Sequence, residues 1–507
     1  MEGFTAWPEK FAKKYREEGY WLDKTITEVM DDCFKRYATR TALITGEGRE
    51  FTYAELGNLV TRLALHLNAI GLKLYDRVVL QIPNIAEVAI TYLATLKAGG
   101  IPIMALPAHR EAEIGYFTKF SEARALAIPA AMKEFDMQEM ASRVQTEASG
   151  LKFILVTGAE PRPGYHSIDM LLKDPIEERT DPAVLPRPDP NLPAVLQLSG
   201  GTTGIPKLIP RTHNDYVYNF LRSAEVCGFD ADTVLLIGIP QEHNFALACP
   251  GLKGVLSQGG CEVLSNSPAP KTMLELIQRH KVTHWVAVPT MILGVLNYPQ
   301  RDEYDLSSLK VILTGGSKLN PEVALRIRPE LHCEVQQVMG MAEGLLCWVL
   351  LDDPEEVKLY TQGRPMSPGD ELKIVNPDSG QEVPPGEVGE LWCRGPYTIR
   401  GYYRAAEHNA KAFTKDGFYK SGDVVRLHTS GNLIVEGRIK DLINRGGEKI
   451  SAEEIEDHIL SHPDVDNCAC IPMPDPLLGE KVCAYVVLRS GGKMTLESLT
   501  GFLLNER

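Results

Sequence analysis

The sequence predicts an α/β protein of several domains. Three observations lead there: strand-length apolar runs alternate with helical periodicity along most of the chain, the texture changes twice toward the C-terminus, and 507 residues exceed what one core usually holds. With 44% hydrophobic and 24% charged residues, the composition is that of a globular protein and excludes disordered, fibrous and membrane classes.

The elements follow in order. Thr52 and Glu55 make an S/T-x-x-E capping box, and Leu56, Leu59, Val60, Leu63 and Leu67 recur at helical spacing up to Gly71. A strand at Val78–Ile82, a helix at Ala86–Ala98 and a strand at Ile101–Ala105 continue the alternation, which predicts a mainly parallel sheet. Asp174 to Pro193, rich in Pro, Asp and Glu, reads as a connector into the strand Ala194–Leu198. Strands at Thr283–Val288, Lys310–Leu313 and Glu334–Val338 predict a second α/β layer. After Asp370, the runs ELKIVN, GELWCRG and LIVEGR between Pro/Gly turns predict a small β-rich subdomain. From Lys440, a second capping box at Ser451 and Glu454 opens a helix through Leu460. Val482–Leu488 is a strand, and together they predict a small α+β domain.

Charge and cysteine use narrow the function classes. The 53 Lys and Arg against 67 Asp and Glu leave a formal charge of −14, too acidic for a nucleic-acid backbone binder. The N-terminus shows no signal-peptide pattern, and the most apolar stretch, Val78 to Ala108, is broken by Asn84, Glu87, Lys97 and Gly99-Gly100. The expectation is a soluble, cytoplasmic protein without a membrane partner. Ten cysteines lack any repeated C-x-x-C spacing, so zinc is not expected and reduced core thiols are.

The most informative stretch is Ser199-Gly200-Gly201-Thr202-Thr203-Gly204-Ile205-Pro206-Lys207, directly after an apolar strand. Its glycines let the backbone approach an anion, Ser199, Thr202 and Thr203 supply hydroxyl donors, and Lys207 supplies charge, so the loop suits a polyphosphate. It is not a Walker A loop, because Ile205 and Pro206 separate Gly204 from Lys207 and Leu208 follows.

SGGTTGIPK resembles the phosphate loop of the adenylate-forming superfamily of acyl-CoA synthetases, luciferase and peptide-synthetase adenylation domains. Gly340-Met341-Ala342-Glu343 is similar to that family's G-x-T-E element, Tyr419-Lys420-Ser421-Gly422-Asp423 to its Y-x-T-G-D element, and Gly437-Arg438-Ile439-Lys440-Asp441 to its hinge. These matches occur in the family's order along nearly the whole chain. The resemblance implies an N-terminal adenylation domain over 1–439, made of two α/β subdomains and a β-barrel-like subdomain from about 345, and a mobile α+β lid over 440–507.

It also implies attack of a carboxylate on the α-phosphate of ATP, giving an acyl adenylate and pyrophosphate. Two anions meet, so electrostatic stabilisation dominates. Lys207, Glu343, Arg438 and His243 form the implied catalytic set, with Mg²⁺ on Glu343. Ser199, Gly200, Gly201, Thr202, Thr203, Gly204, Gly315, Gly316, Val338, Gly340, Asp423 and Arg438 would line the ATP site, Asp423 on the ribose hydroxyls and Gly315-Gly316 with Val338 beside adenine. Without the family, Asp423 is a turn residue, Glu343 a helix cap and Arg438 a surface ion-pair partner.

Two departures from the broad pattern, Ala342 before the glutamate and Lys440 at the hinge, fit one branch. That branch is the stand-alone aryl-acid AMP ligases of siderophore pathways, which SGGTTGIPKLIPRTHNDY, His243-Asn244, GMAEGL at Gly340–Leu345 and NRGGEKI at Asn444–Ile450 resemble closely. The branch implies that His243, Asn244, Phe245, Cys249, Ser317 and Leu346 surround an aromatic ortho-hydroxy acid. Salicylate-preferring relatives tend to carry Cys and Leu where this chain has Cys249 and Leu346. A thiol donates weakly, and a ring 3-hydroxyl left unsatisfied costs about 1–3 kcal/mol, so the pair favours salicylate over 2,3-dihydroxybenzoate. Ser317, where the branch usually has Ala, offers a hydroxyl at the pocket edge.

The branch then passes the aryl group to the phosphopantetheine thiol of an aryl carrier protein. The lid would turn about Lys440 to present the Gly446-Gly447 loop for thiolation. Relatives carry a near-terminal lysine in a P-x-x-x-x-G-K context. Lys493 in Gly491-Gly492-Lys493 lacks that context before the chain stops at Arg507, so the expectation is a truncated chain. Competing readings are a 2,3-dihydroxybenzoate ligase, an aryl-CoA ligase using free coenzyme A, and a non-catalytic nucleotide-binding regulator.

Overall fold

The structure is a computed structural model that describes residues 1–199, 206–445, 448–475 and 478–505. Two large sheets dominate it. One has seven strands, in the order 208–212, 193–198, 101–104, 77–80, 125–129, 153–157 and 166–167. All its pairings are parallel except the edge hairpin of 193–198 with 208–212. The other has nine, in the order 364–365, 346–348, 334–340, 311–315, 284–287, 234–237, 261–264, 41–45 and 50–52. Its middle is parallel and its outer pairs are antiparallel.

Strand alternation explains the layering. Val78 and Leu80 point into the largest core cluster, shared with Leu43, Leu235 and Val286 of the nine-stranded sheet, whereas Val79 points to a second cluster on the opposite face. The helices Tyr53–Ala69 and Ala86–Lys97 fill the space between the sheets. Ala86–Lys97 is buried at Ala86 and from Val88 to Leu96, as a helix covered on all sides must be. The capping box at Thr52 is formed: the Glu55 N–H donates to Thr52 Oγ1 and Glu55 Oε2 accepts from the Thr52 N–H.

The β-rich subdomain is a four-stranded antiparallel sheet in the order Glu371–Val375, Gly389–Arg394, Tyr419–Leu427 and Leu433–Arg438. It begins later than the residue at about 345 that the sequence suggested, because Leu346–Trp348 folds back on Glu334–Gly340 and extends the nine-stranded sheet. A 3₁₀ turn at Ile439–Asp441 leads to the C-terminal unit, ordered 448–451, 442–445, 479–488 and 465–475, with helices Ala452–Leu460 and Leu496–Asn505 against one face. The Ser451 backbone precedes the first of these helices as the sequence suggested, while the Glu454 side chain lies outside the described set. All ten cysteines are free thiols, eight of them buried. Among the described residues no helix is long and apolar enough to cross a membrane.

Candidate active site

Parallel strands place their carboxyl ends on one side, and the loops that follow them gather there. His243–Cys249 follows Val234–Ile237, Gly316-Ser317 follows Val311–Gly315, and Met341–Leu345 follows Glu334–Gly340. Gly315 pairs directly with Val338, and a Cβ on it would lie 2.6 Å from Val338 Cγ1, so only glycine lets the two strands approach this closely. Gly340 pairs with Leu346, and its Cβ would meet Leu346 Cδ2 at 2.5 Å. The predicted adenine-side residues and the predicted acid-side Leu346 are therefore adjacent along one strand pair.

The predicted acid side is a largely buried polar network. Asn244 Nδ2 donates to Cys249 Sγ at 3.1 Å, and Asn219 Nδ2 donates to the same sulfur at 3.3 Å. Cys249 acts here as an acceptor, although the sequence suggested a weak donor, because two amides converge on it. Burial pushes its thiol up to about 11. Tyr216 donates its hydroxyl to Asn244 Oδ1 at 2.5 Å and accepts from Gln197 Nε2 at 3.2 Å. Lys253, fully buried, donates to Tyr92 at 2.7 Å with its ammonium 3.5 Å from the centre of the Tyr216 ring, and burial holds its pKa well below the usual lysine range. Leu346 is buried, and Phe245 packs 6.4 Å from the Trp348 ring. His243 and Ser317 are exposed.

The predicted nucleotide side is built differently. The stem of the phosphate loop is closed: the Lys207 N–H donates to Ser199 Oγ at 2.9 Å and the Ser199 N–H to the Lys207 carbonyl at 3.0 Å. Gly200, Gly201, Thr202, Thr203 and Gly204 lie outside the described residues, as do Gly446 and Gly447. Lys207 Nζ sits 5.9 Å from the Tyr402 ring centre, and Tyr402 donates its hydroxyl to Glu343 Oε1 at 2.7 Å. Tyr419 stands 2.8 Å from the Tyr402 hydroxyl. Burial raises the Glu343 carboxyl, and the Tyr402 hydroxyl opposes that shift. Asp423 and Arg438 face each other across an antiparallel pair, Arg438 Nε donating to Asp423 Oδ1 at 3.1 Å. Burial raises Asp423 while the Arg438 charge opposes it. Lys440 is exposed in the 3₁₀ turn.

Sequence reasoning missed Arg211, Asn219, Tyr216, Lys253 and Tyr402. Two signals were available: the T-x-x-D box at Thr212–Asp215, which opens the helix His213–Val226, and a lysine embedded in the apolar run GLKGVL.

The donor set fits a hard cation bound to phosphate, since Glu343 supplies a carboxylate with one oxygen held by Tyr402 beside the Lys207 ammonium. Comparison with known proteins agrees with the fold and these motifs. Residues 30–403 match the AMP-binding enzyme family and residues 454–506 match the AMP-binding enzyme C-terminal domain. The chain is 45% identical over 504 residues to the 2,3-dihydroxybenzoate-AMP ligase of Bacillus subtilis (strain 168), covering 99% of this chain and 91% of that one. It is 43% identical over 507 residues to the salicyl-AMP ligase / salicyl-S-ArCP synthetase of Mycobacterium tuberculosis, covering 99% and 88%. The apo structure of MbtA from Mycobacterium smegmatis superposes with a TM-score of 0.80 at 41% identity, covering 99% and 92%. The chain belongs to the AMP-binding enzyme family, in its aryl-acid AMP ligase branch.

Proposed function

We propose that this enzyme condenses an aromatic ortho-hydroxy acid, salicylate by preference, with ATP to give the aryl adenylate and pyrophosphate, then transfers the aryl group to a carrier-protein thiol. The observation behind this reading is the amide and thiol network of Asn244, Cys249 and Asn219, which Arg211 joins to the Ala342 carbonyl next to Glu343. Amide groups beside Phe245 and Leu346 suit a flat ring carrying a carboxylate, and the charged groups Lys207, Glu343, Asp423 and Arg438 suit a nucleotide.

In this reading the Asn244 amide orients the acid's carboxylate and ortho-hydroxyl, with Phe245 and Leu346 against the ring and His243 at the mouth. Lys207 holds phosphate oxygens and stabilises the charge that builds as the acid attacks. Asp423 accepts from the ribose hydroxyls, while the charge of its strand partner Arg438 opposes the burial that raises the Asp423 carboxyl and is available to the phosphates. A Mg²⁺ ion on Glu343 supplies charge neutralisation of the phosphates when bound. The exposed Ser317 then faces substituents at the pocket rim, and the turn at Lys440 serves as the hinge that separates the two half-reactions.

Acid-dependent exchange of pyrophosphate into ATP across salicylate, 2,3-dihydroxybenzoate, benzoate and anthranilate tests the first half-reaction. Salicylate is expected to lead the series, and absence of exchange with every acid would refute the reading. Faster transfer to coenzyme A than to a phosphopantetheinylated carrier protein would replace the carrier step with a CoA ligase.

A further inference from the structure

The strand Leu208–Thr212 contains a fully buried arginine whose fork is divided between the helix His213–Val226 and the loop that carries Ala342. Arg211 Nε donates to Asp215 Oδ1 at 2.8 Å, Nη1 to the Ala342 carbonyl at 2.9 Å, and Nη2 to Asn219 Oδ1 at 3.0 Å. The guanidinium carbon lies 4.5 Å from the centre of the Tyr216 ring. Asp215 is itself fixed, its other oxygen accepting from the Thr212 N–H at 2.6 Å and the Thr212 hydroxyl at 2.9 Å. Charge balance needs only Asp215. The remaining two arms reach the residue before Glu343 and, through the Asn219 amide, the Ala248 carbonyl at 2.9 Å and the Cys249 sulfur.

We infer that Arg211 is a positioning residue that ties the wall of the acid pocket to the loop bearing Glu343, so that acid and metal–nucleotide binding are set by one shared unit. A planar fork fixes three partners in one plane, whereas a lysine at the same place offers a single point charge. All three members of the network, Arg211, Asp215 and Asn219, are buried, so the connection is not relaxed by water. The inference rests on the reading of Glu343 as the Mg²⁺ carboxylate. It adds that a change at the acid end travels to the metal end through Arg211.

The test measures, by calorimetry, Mg²⁺-dependent binding of the non-hydrolysable analogue α,β-methylene-ATP to the wild type, Arg211→Lys, Asn219→Ala, the double variant and Glu343→Gln. Asn219→Ala, made beside Cys249, is expected to weaken analogue binding about fivefold or more. Arg211→Lys is expected to weaken it at least as much, and the double variant no further than Arg211→Lys alone. Analogue binding within about 1.5-fold of wild type in Asn219→Ala, or additive losses in the double variant, would overturn the inference. If Arg211→Lys does not fold, Asn219→Ala decides by itself. Glu343→Gln separates the two failures. If it abolishes the Mg²⁺ response while Asn219→Ala does not move it, the linkage fails and the role of Glu343 stands. If Glu343→Gln leaves the response unchanged, the role of Glu343 fails and takes the linkage with it.

Discussion

The two halves of the site are built to different physical rules. On the acid side, Arg211, Asp215, Asn219, Tyr216, Cys249 and Lys253 are buried, and their polar groups find partners inside the protein. On the nucleotide side, the Arg438 side chain is 52% exposed against 14% for its partner Asp423, and Lys440 faces solvent. The difference teaches which half is finished before ligand arrives. A buried, satisfied network is preorganised and selects by shape, whereas an exposed ion pair is completed by the charges that come with the nucleotide.

The comparison can be broken at its charged end first. Glu343→Gln and Asp423→Asn are each expected to lower salicylate-dependent pyrophosphate exchange by about 10²–10³-fold with little loss of fold. A drop of less than about fivefold in either would place the charge chemistry on other groups.

Stability sharpens the same contrast. Arg211→Ala strands the buried Asp215 carboxylate and should cost about 3–5 kcal/mol in denaturant unfolding. Arg438→Ala removes a half-exposed partner and should cost less than about 1 kcal/mol while still impairing exchange. Equal costs would erase the distinction between the halves.

The proposed function puts specificity in the buried half. Cys249→Ser with Leu346→Val is expected to shift the ratio of kcat/KM toward 2,3-dihydroxybenzoate by about tenfold, because a hydroxyl replaces the thiol and one methylene is removed. An unchanged ratio in a four-acid panel would relocate the selectivity.

A smaller effect comes from the carboxyl groups beneath the acid loop. Gln241 Nε2 donates to Glu262 Oε1 at 3.3 Å, and burial pushes Glu262 and Glu242 up to about 8 each. The folded protein therefore holds protons that the unfolded chain has already released. The stability they contribute is complete below the ordinary glutamate pKa and is lost as pH rises through about 8. Glu262→Gln should flatten the fall of Tm between about pH 5 and about pH 8.5, read by scanning calorimetry. A parallel slope in wild type and variant would show the carboxyl to be ionised in the fold.

The smallest effect is expected at the junction of the two units, where Lys318 Nζ meets Asp457 Oδ2 at 2.9 Å. Asp457→Asn should change stability by less than about 0.5 kcal/mol, and any larger consequence should appear only in the ratio of adenylation to transfer rates.

Legibility in the sequence followed periodicity and local motif. The helix after Thr52, the strands at Arg77–Leu80 and Val311–Gly315 and the C-terminal strand Gly479–Leu488 each lie within a few residues of where alternation or capping placed them. The β-rich subdomain boundary at about 345 fell too early because the three-residue strand Leu346–Trp348 has too little pattern to name its partner, and its place depends on the reversal after Gly340. Asn244, Cys249 and Asp423 could be named from motifs, but their partners could not. Asn219 is thirty residues from Cys249, and Tyr402 is fifty-nine from Glu343.

The sequence by itself determined the α/β class, the order of the motifs and the family, because these rest on patterns read within a few dozen residues. The folded chain alone shows that the Cys249 thiol accepts rather than donates, that Tyr402 holds Glu343, and that Arg211 joins Asn219 to the Ala342 carbonyl. The physical reason is that burial and hydrogen-bond direction arise from groups distant in the chain, and a linear pattern contains neither distance nor direction.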